Sequence, residues 1–359
     1  MPHMSNIGSN RPSFGDGESF RPSASTPDRR RFLRTGLLAA GTVAAGGLLT
    51  ACGSSANAVQ GRTGSGKTIG VSLNGVNGYT TYLMEGVLKE LDGTGYKFVG
   101  VQNNFDSSTE LGNIQNLLSQ GIAGLVVLPT DASTIARAAK VAAAQGVAVS
   151  NALWSGKSNA DRYFAGVADL DSVEGGRMIG RWLLANVEPG KVIVVQGIVG
   201  QGFSERIDKG LDQALAGSGF EIVLRQQGYF DRNTATKIVE SGLQAHPDVK
   251  AVVSYAASMG DGIAAYLKSA GITDVKHVTS DCDDEMLTWL GTPYLSAARY
   301  YSAAQTGQIA VRAVRAKLEG RTPGFLGKVD QTIMTKANMA AVLAAKPYRY
   351  KKFASKARI

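Results

Sequence analysis

Histidine and cysteine are scarce in this 359-residue chain, with three of the first and two of the second. His3 lies in a polar leader, His246 precedes Pro247 in an expected surface turn, and His277 opens an apolar run. No His/Cys cluster has metal-ligand spacing, so no metal is expected. No nucleophile stands with a base and an orienting acid, so neither an enzyme nor a cofactor is expected. Cys52 ends the leading segment and leaves Cys282 without a partner, which excludes an internal disulfide and leaves the core alone to hold the fold. The Asp-Cys-Asp context of Cys282 beside a strand reads as a packed residue rather than a reactive thiol. Long charged blocks and heptads are also missing, and 44% hydrophobic against 19% charged residues places the body among globular chains of two ordinary domains.

The formal charge of +9 is concentrated at the ends. Residues 1–51 carry +3 and residues 331–359 carry +7, which leaves the stretch 52–330 at −1. A near-neutral body without a basic stripe interleaved with aromatics excludes a nucleic-acid partner. The basic run from Lys346 to Arg358 reads as solvated charge at a frayed terminus rather than a membrane-facing patch.

The first fifty-two residues read as an address. Residues 1–28 are rich in Ser, Gly, Pro and Asn and show no hydrophobic period. Arg29-Arg30-Arg31-Phe32-Leu33-Arg34 then resembles the twin-arginine export signal. The uncharged run Thr35 to Ala51 has 17 residues, mostly Gly, Ala and Leu, and falls short of the roughly 20 apolar residues of a membrane span. It ends in Leu49-Thr50-Ala51-Cys52, which resembles the lipobox of bacterial lipoproteins. Residues 1–51 are therefore expected to be a cleaved signal with Arg29 and Arg30 as its paired arginines. Cys52 is expected to carry the lipid that holds the protein outside the cytoplasmic membrane, and residues 52–66 to be a flexible tether.

Within the tether, Gly61-Arg62-Thr63-Gly64-Ser65-Gly66-Lys67-Thr68 matches the phosphate-binding loop pattern residue for residue. That loop needs a strand before it and a helix after it, so that backbone N–H groups and a helix N-terminus meet the phosphates. Here a polar tether precedes and an apolar strand follows, so no nucleotide is expected.

From Lys67 onward short apolar runs alternate with amphipathic stretches, the pattern of parallel sheets with crossover helices. Strands are expected at Thr68–Leu73, Phe98–Gln102, Gly124–Leu128 and Val147–Asn151, with helices at Tyr79–Leu91, Ser107–Gln120 and Asp131–Gln145 between them. Asp131 suits the N-cap of the third helix and Gly146 its C-cap. The second half repeats the scheme. Its strands are expected at Lys191–Gln196, Glu221–Arg225, Ala251–Ser254 and His277–Ser280, its helices at Asp171–Asn186, Glu205–Ala216, Thr234–Gln244, Ser258–Ala270 and Ala303–Glu319. Two similar halves imply two lobes facing a cleft, with ligand beyond the carboxyl ends of the strands.

Several stretches, in order over Lys67 to about Thr335, carry a family resemblance: Thr68-Ile69-Gly70-Val71-Ser72, Leu128-Pro129-Thr130-Asp131, Gln196-Gly197-Ile198-Val199-Gly200, Phe230-Asp231-Arg232, Ala245-His246-Pro247-Asp248-Val249-Lys250-Ala251-Val252 and Ser280-Asp281. The chain resembles the ribose-binding-protein group of periplasmic binding proteins, which feed ABC importers. The resemblance implies two Rossmann-like α/β lobes with parallel sheets, joined by a three-crossing hinge that closes around ligand. It implies an N-terminal lobe of 67–169 plus 302–325, a C-terminal lobe of 170–301 plus 326–340, and a basic tail of 341–359. The implied partners are a small polar solute, sugar or sugar-like, and a membrane permease; a sensory co-receptor role reads the same closure.

Carried over residue by residue, the resemblance makes Asp281 a carboxylate for ligand hydroxyls and Phe230 a stacking aromatic. It sets Tyr79, Asn74 and Asn77 at the start of the first helix. Departures mark the rest: Leu153-Trp154 replace an Asp-Arg pair, Ala256-Ala257 an Asn-Asp pair and Tyr301 a Gln. A ligand arginine falls on Glu205, or on Arg206 with a register slip of one. A pocket with fewer guanidinium groups and more aromatics suits either a sugar in a shifted register or a flatter, aromatic or cationic solute on Trp154, Phe230 and Tyr301.

Overall fold

The computed structural model describes residues 67–153, 159–322, 324 and 326–359. The readings placed on Arg29, Arg30, Cys52 and Trp154, and most of the tether motif, lie outside the described residues. Thr68 itself begins a strand, so no helix follows the phosphate-loop pattern.

Lobe one opens with β1 (Thr68–Leu73), α1 (Gly78–Leu91), β2 (Lys97–Gln102), α2 (Ser107–Ser119), β3 (Gly124–Val127), α3 (Ala132–Ala144), β4 (Ala148–Asn151) and β5 (Phe164–Asp169). Lobe two follows with α4 (Ser172–Asn186), β6 (Lys191–Gln196), α5 (Phe203–Leu215), β7 (Glu221–Gln227), α6 (Arg232–Ala245), β8 (Val249–Ser254), α7 (Ala257–Ser269), β9 (Lys276–Ser280), α8 (Met286–Trp289) and β10 (Ala297–Tyr301). The chain returns to lobe one for α9 (Ala303–Leu318) and β11 (Leu326–Lys328), then to lobe two for β12 (Gln331–Met334) and α10 (Met339–Ala345).

The sheets have matching strand orders, β11-β5-β4-β3-β1-β2 and β12-β10-β9-β8-β6-β7. All pairings are parallel except β10 with β12. Helices cover both faces, so the central strands read as continuous apolar runs; Val192 to Val195 are fully buried. Asp131 caps α3 by accepting from the N–H of Ser133 and Thr134, and Gly146 follows with φ +75°. The same packing device recurs in each lobe. A Cβ on Gly86 of α1 would stand 2.0 Å from the Ala304 carbonyl oxygen of α9, and one on Gly176 of α4 would stand 2.0 Å from that of Ile207 of α5. Glycine at these sites lets two helix backbones touch.

Two boundaries differ from the sequence reading. β11 pairs with β5 of lobe one, so the third crossing falls after Lys328 rather than at 325/326. The C-terminal segment is not frayed. α10 packs on lobe two through Met339, Val342 and Leu343, and the chain then crosses to lobe one, where Phe353 and Ala357 are buried. At this crossing the Tyr300 hydroxyl donates to the Lys346 carbonyl and the Ser302 hydroxyl to that of Pro347 (2.6 Å). The Arg349 guanidinium lies 4.7 Å over the Tyr82 ring and donates to the fully buried Glu85 of α1 (2.8 Å) and to Asp284 of lobe two (2.5 Å). Lys346 and Arg349 thus answer particular carboxylates, while Lys351, Lys352, Lys356 and Arg358 stay exposed. Among the described residues the chain therefore passes between the lobes four times.

Candidate functional site

In each sheet the strand order reverses beside the first strand, and side chains from the carboxyl ends converge there on one interlobe pocket. It encloses about 590 Å³ of empty space, part of it open to solvent. The lobes touch around it: the Gln201 Nε2 of lobe two donates to the Pro129 carbonyl of lobe one (3.1 Å), and the Tyr82 hydroxyl donates to Asp284 (3.4 Å).

Lobe one presents the start of α1. Asn74 is buried after β1, its amide donating to the Pro129 carbonyl (3.3 Å). Asn77 is the N-cap: its Oδ1 accepts from the Thr80 N–H (3.0 Å) while the Thr80 hydroxyl accepts from the Asn77 N–H (2.9 Å). Its amide nitrogen is left for the cleft. Tyr79 sets its ring edge-on to Tyr301 with centroids 5.9 Å apart, and burial pushes its phenol up to about 12, so it stays a neutral donor.

Lobe two presents charge. Asp281 follows β9 with φ +58°, its N–H donating to the Arg299 carbonyl and its Oδ1 accepting from the Ala257 N–H at the start of α7, both 2.9 Å. Burial, then nearby Asp283, raise its pKa well above the carboxylate range. Asp283 also lines the pocket, and burial raises it too. Behind them Asp261 is buried and pushed up to about 9 by burial and then by Asp283 and Glu285. Strand alternation on β10 turns Arg299 and Tyr301 to one face and Tyr300 to the other. The Arg299 guanidinium lies 4.7 Å over the Tyr301 ring and donates to Gln331 Oε1 at 2.9 and 2.7 Å. It is fully buried, and burial lowers its pKa. Phe230, at φ +58°, stacks on Phe105 with centroids 5.7 Å apart.

Asn74, Asn77, Tyr79, Phe230, Asp281 and Tyr301 thus come together in the pocket. Glu205 and Arg206 do not line it. The Glu205 carboxylate folds back to accept from the N–H groups of Gly200 and Gly202, closing the first turn of α5. The residues of that turn that reach the pocket are Gln201 and Phe203. Phe105, Ser258 and Asp283 were also missed by the sequence reading. Phe105 had a visible signal: Asn-Phe-Asp before α2 repeats Tyr-Phe-Asp before α6. No described lysine or arginine lines the pocket, and the guanidinium of Arg299 stands one layer behind. Cys282 is buried beside Met286, Leu290 and Met334, and burial with the surrounding carboxylates holds its thiol neutral.

A family model described as the periplasmic binding protein domain matches residues 69–322. This chain belongs to that family. As a periplasmic binding protein it is 28% identical over 268 residues to the ribose import binding protein of Bacillus subtilis, covering 74% of this chain and 84% of the relative. It is 31% identical over 206 residues to the ribose import binding protein of Escherichia coli, covering 57% and 69%. Among solved structures it superposes on the periplasmic binding protein component of the arabinose ABC transporter from Shewanella sp. ANA-3, with a TM-score of 0.71, 22% identity and coverage of 81% and 97%. That last likeness is one of fold. The relatives of this periplasmic binding protein are binding proteins rather than enzymes, and so is the chain itself.

Proposed function

We propose that this periplasmic binding protein is the substrate-binding component of an ABC importer, capturing a small polyhydroxyl solute, a sugar or sugar-like molecule, between its lobes. The observation that carries this reading is the pocket itself. Hydroxyl acceptors and donors on Asp281, Asp283, Asn77 and Ser258 converge between aromatic faces on both lobes, where each hydroxyl finds a partner and each C–H face a ring. The ribose import binding proteins it resembles support the class of ligand. Closure is the message delivered to a membrane permease, because ligand favours the closed arrangement by its differential affinity. The lipid on Cys52 keeps the protein beside that permease.

A second reading has its own support. The pocket carries two aspartates, several aromatic rings and no described cationic side chain, which also suits a cationic or aromatic solute.

Thermal shift of the purified protein against pentoses, hexoses, polyols, nucleosides, aromatic acids and quaternary amines separates the two. Ligand at a hundredfold its Kd stabilises the folded state by about 2.7 kcal/mol. A rise in Tm with a sugar or polyol supports the first reading. A rise only with aromatic or quaternary compounds replaces it with the second.

A further inference from the structure

Two pairs of residues take the left-handed backbone region on the cleft side of the molecule: Asn104 and Phe105 (φ +50° and +60°), and Tyr229 and Phe230 (φ +56° and +58°). Asparagine adopts this conformation readily, whereas for a bulky aromatic it is strained. The pairs occupy equivalent places. Each lies between the second strand of its sheet, β2 or β7, and the aspartate that caps the next helix, Asp106 or Asp231. Each turn directs its phenylalanine into the cleft, where the two rings stack with centroids 5.7 Å apart and planes 29° apart. Each ring also rests on a glycine of its own lobe. A Cβ on Gly75 would stand 2.7 Å from Phe105 Cε2, and one on Gly197 would stand 2.2 Å from Phe230 Cε1. Backbone strain built twice at one place is maintained by what the strained residues do there.

We propose that Phe105 sets the size and specificity of the ligand. Its ring covers the lobe-one face of Phe230, which a ligand ring would otherwise meet. The solute is thereby confined to the space bounded by Tyr79, Tyr301, Asp281 and Asp283. The stack bridges the lobes, so it forms only as they close, and a solute that projects past it holds them apart. The pocket therefore admits a single small polyol or monosaccharide and refuses a disaccharide. This rests on the sugar-binding reading above.

The test is isothermal titration calorimetry of the wild-type protein, Phe105→Ala and Gly75→Ala with D-ribose, L-arabinose, xylitol, D-glucose, maltose and lactose, alongside ligand-free melting of each. Aromatic pairs of this kind correspond to about a two- to twelve-fold change in an equilibrium constant. Phe105→Ala is expected to weaken the solute that the wild type binds by that factor and to gain at least one larger solute that the wild type refuses. Gly75→Ala, whose new methyl displaces the ring without removing it, is expected to shift both in the same direction and covers the case in which Phe105→Ala does not fold. Variants that keep the wild-type affinity and range overturn the role of Phe105, as does a wild type that binds disaccharides. A wild type that binds none of the six overturns the sugar reading itself, and this inference with it.

Discussion

The two lobes share a strand order, a helix-packing device and a strained aromatic turn, yet they furnish the cleft with different chemistry. Lobe one lines it with neutral groups: Asn74, Asn77, Tyr79, Thr80, Phe105 and Leu128. Lobe two contributes Asp281 and Asp283, with Asp261 and Arg299 buried behind them. The same scaffold geometry stands in both lobes, while the carboxyl groups that line the cleft gather in one. Shape is accordingly assigned to lobe one, and recognition by carboxyl groups and the pH response to lobe two.

The largest effect is expected where the tail joins these unequal halves. Arg349→Met leaves the fully buried Glu85 of lobe one without its cation and also releases Asp284 of lobe two. Loss of one partner of a buried pair costs about 3–5 kcal/mol. Urea unfolding is the measurement, and a loss below about 1 kcal/mol would mean that the lobes do not depend on the strap.

Next come the proposed ligand contacts. Asp281→Ala is expected to weaken solute binding by about 1–3 kcal/mol and Asn74→Ala by about 0.5–1.5 kcal/mol, since a carboxyl group both accepts from and donates to solute hydroxyls, whereas the Asn74 amide already donates to the Pro129 carbonyl. Calorimetric affinities that reverse this order break the assignment of recognition to lobe two.

Per pH unit the pH response is smaller, and it has a definite sign. Asp261, pushed up to about 9, keeps in the folded state a proton that the unfolded chain gives up near pH 4. Its contribution to stability is complete below pH 4 and is lost progressively as pH rises through 9, with a slope of about 1.4 kcal/mol per pH unit at most. Asp281 and Asp283 act in the same direction. His277 acts oppositely: burial lowers it to about 4, and its Nδ1–H donates to the Tyr294 carbonyl (3.0 Å). Its contribution is present above pH 6.5 and is lost as pH falls through 4. Melting temperature against pH should fall on the alkaline side, with Asp261→Asn flattening that limb and His277→Gln flattening the acid one.

The smallest effect tests symmetry itself. Asp106 accepts from the Thr109 N–H (2.6 Å) and Asp231 from the Thr234 N–H (2.7 Å), each just after a strained turn. Replacing either by alanine should cost about 1 kcal/mol, and by a similar amount. Denaturation midpoints that separate the two variants widely would show that the turns are alike in shape alone.

How much of this was legible in the chain follows from the kind of signal each part carries. β1 and β6 were read to the residue, because Ile69-Gly70-Val71 and Val192-Ile193-Val194-Val195 are apolar runs bounded by turns. β5 was missed, since Phe-Ala-Gly-Val-Ala-Asp is short and interrupted by glycine. β10 was missed because Ala-Ala-Arg-Tyr-Tyr hides a fully buried arginine in a strand. In the site, residues following strands were found because strand ends point to the cleft. Glu205 was misplaced because position along the chain does not reveal that a carboxylate is turned back to cap its own helix. The docked tail left a trace only at its target: Glu85 is a lone acid among Tyr82, Leu83, Met84, Val87 and Leu88, all buried, which implies a cation arriving from elsewhere.

The fourth crossing also bears on the order of assembly. Lobe one is built from the first part of the body, from α9 and β11, and from the last dozen residues, whereas nearly all of lobe two is one uninterrupted stretch. On a chain made from its N-terminus, the lobe that starts first is finished last. Until the ribosome releases Arg349 and Phe353, α1 presents an uncovered acid and an unfilled groove. Lobe two meanwhile already has its whole stretch from α4 to β10 and lacks only β12 and α10, so translation pauses near the C-terminus would prolong the exposure of lobe one most.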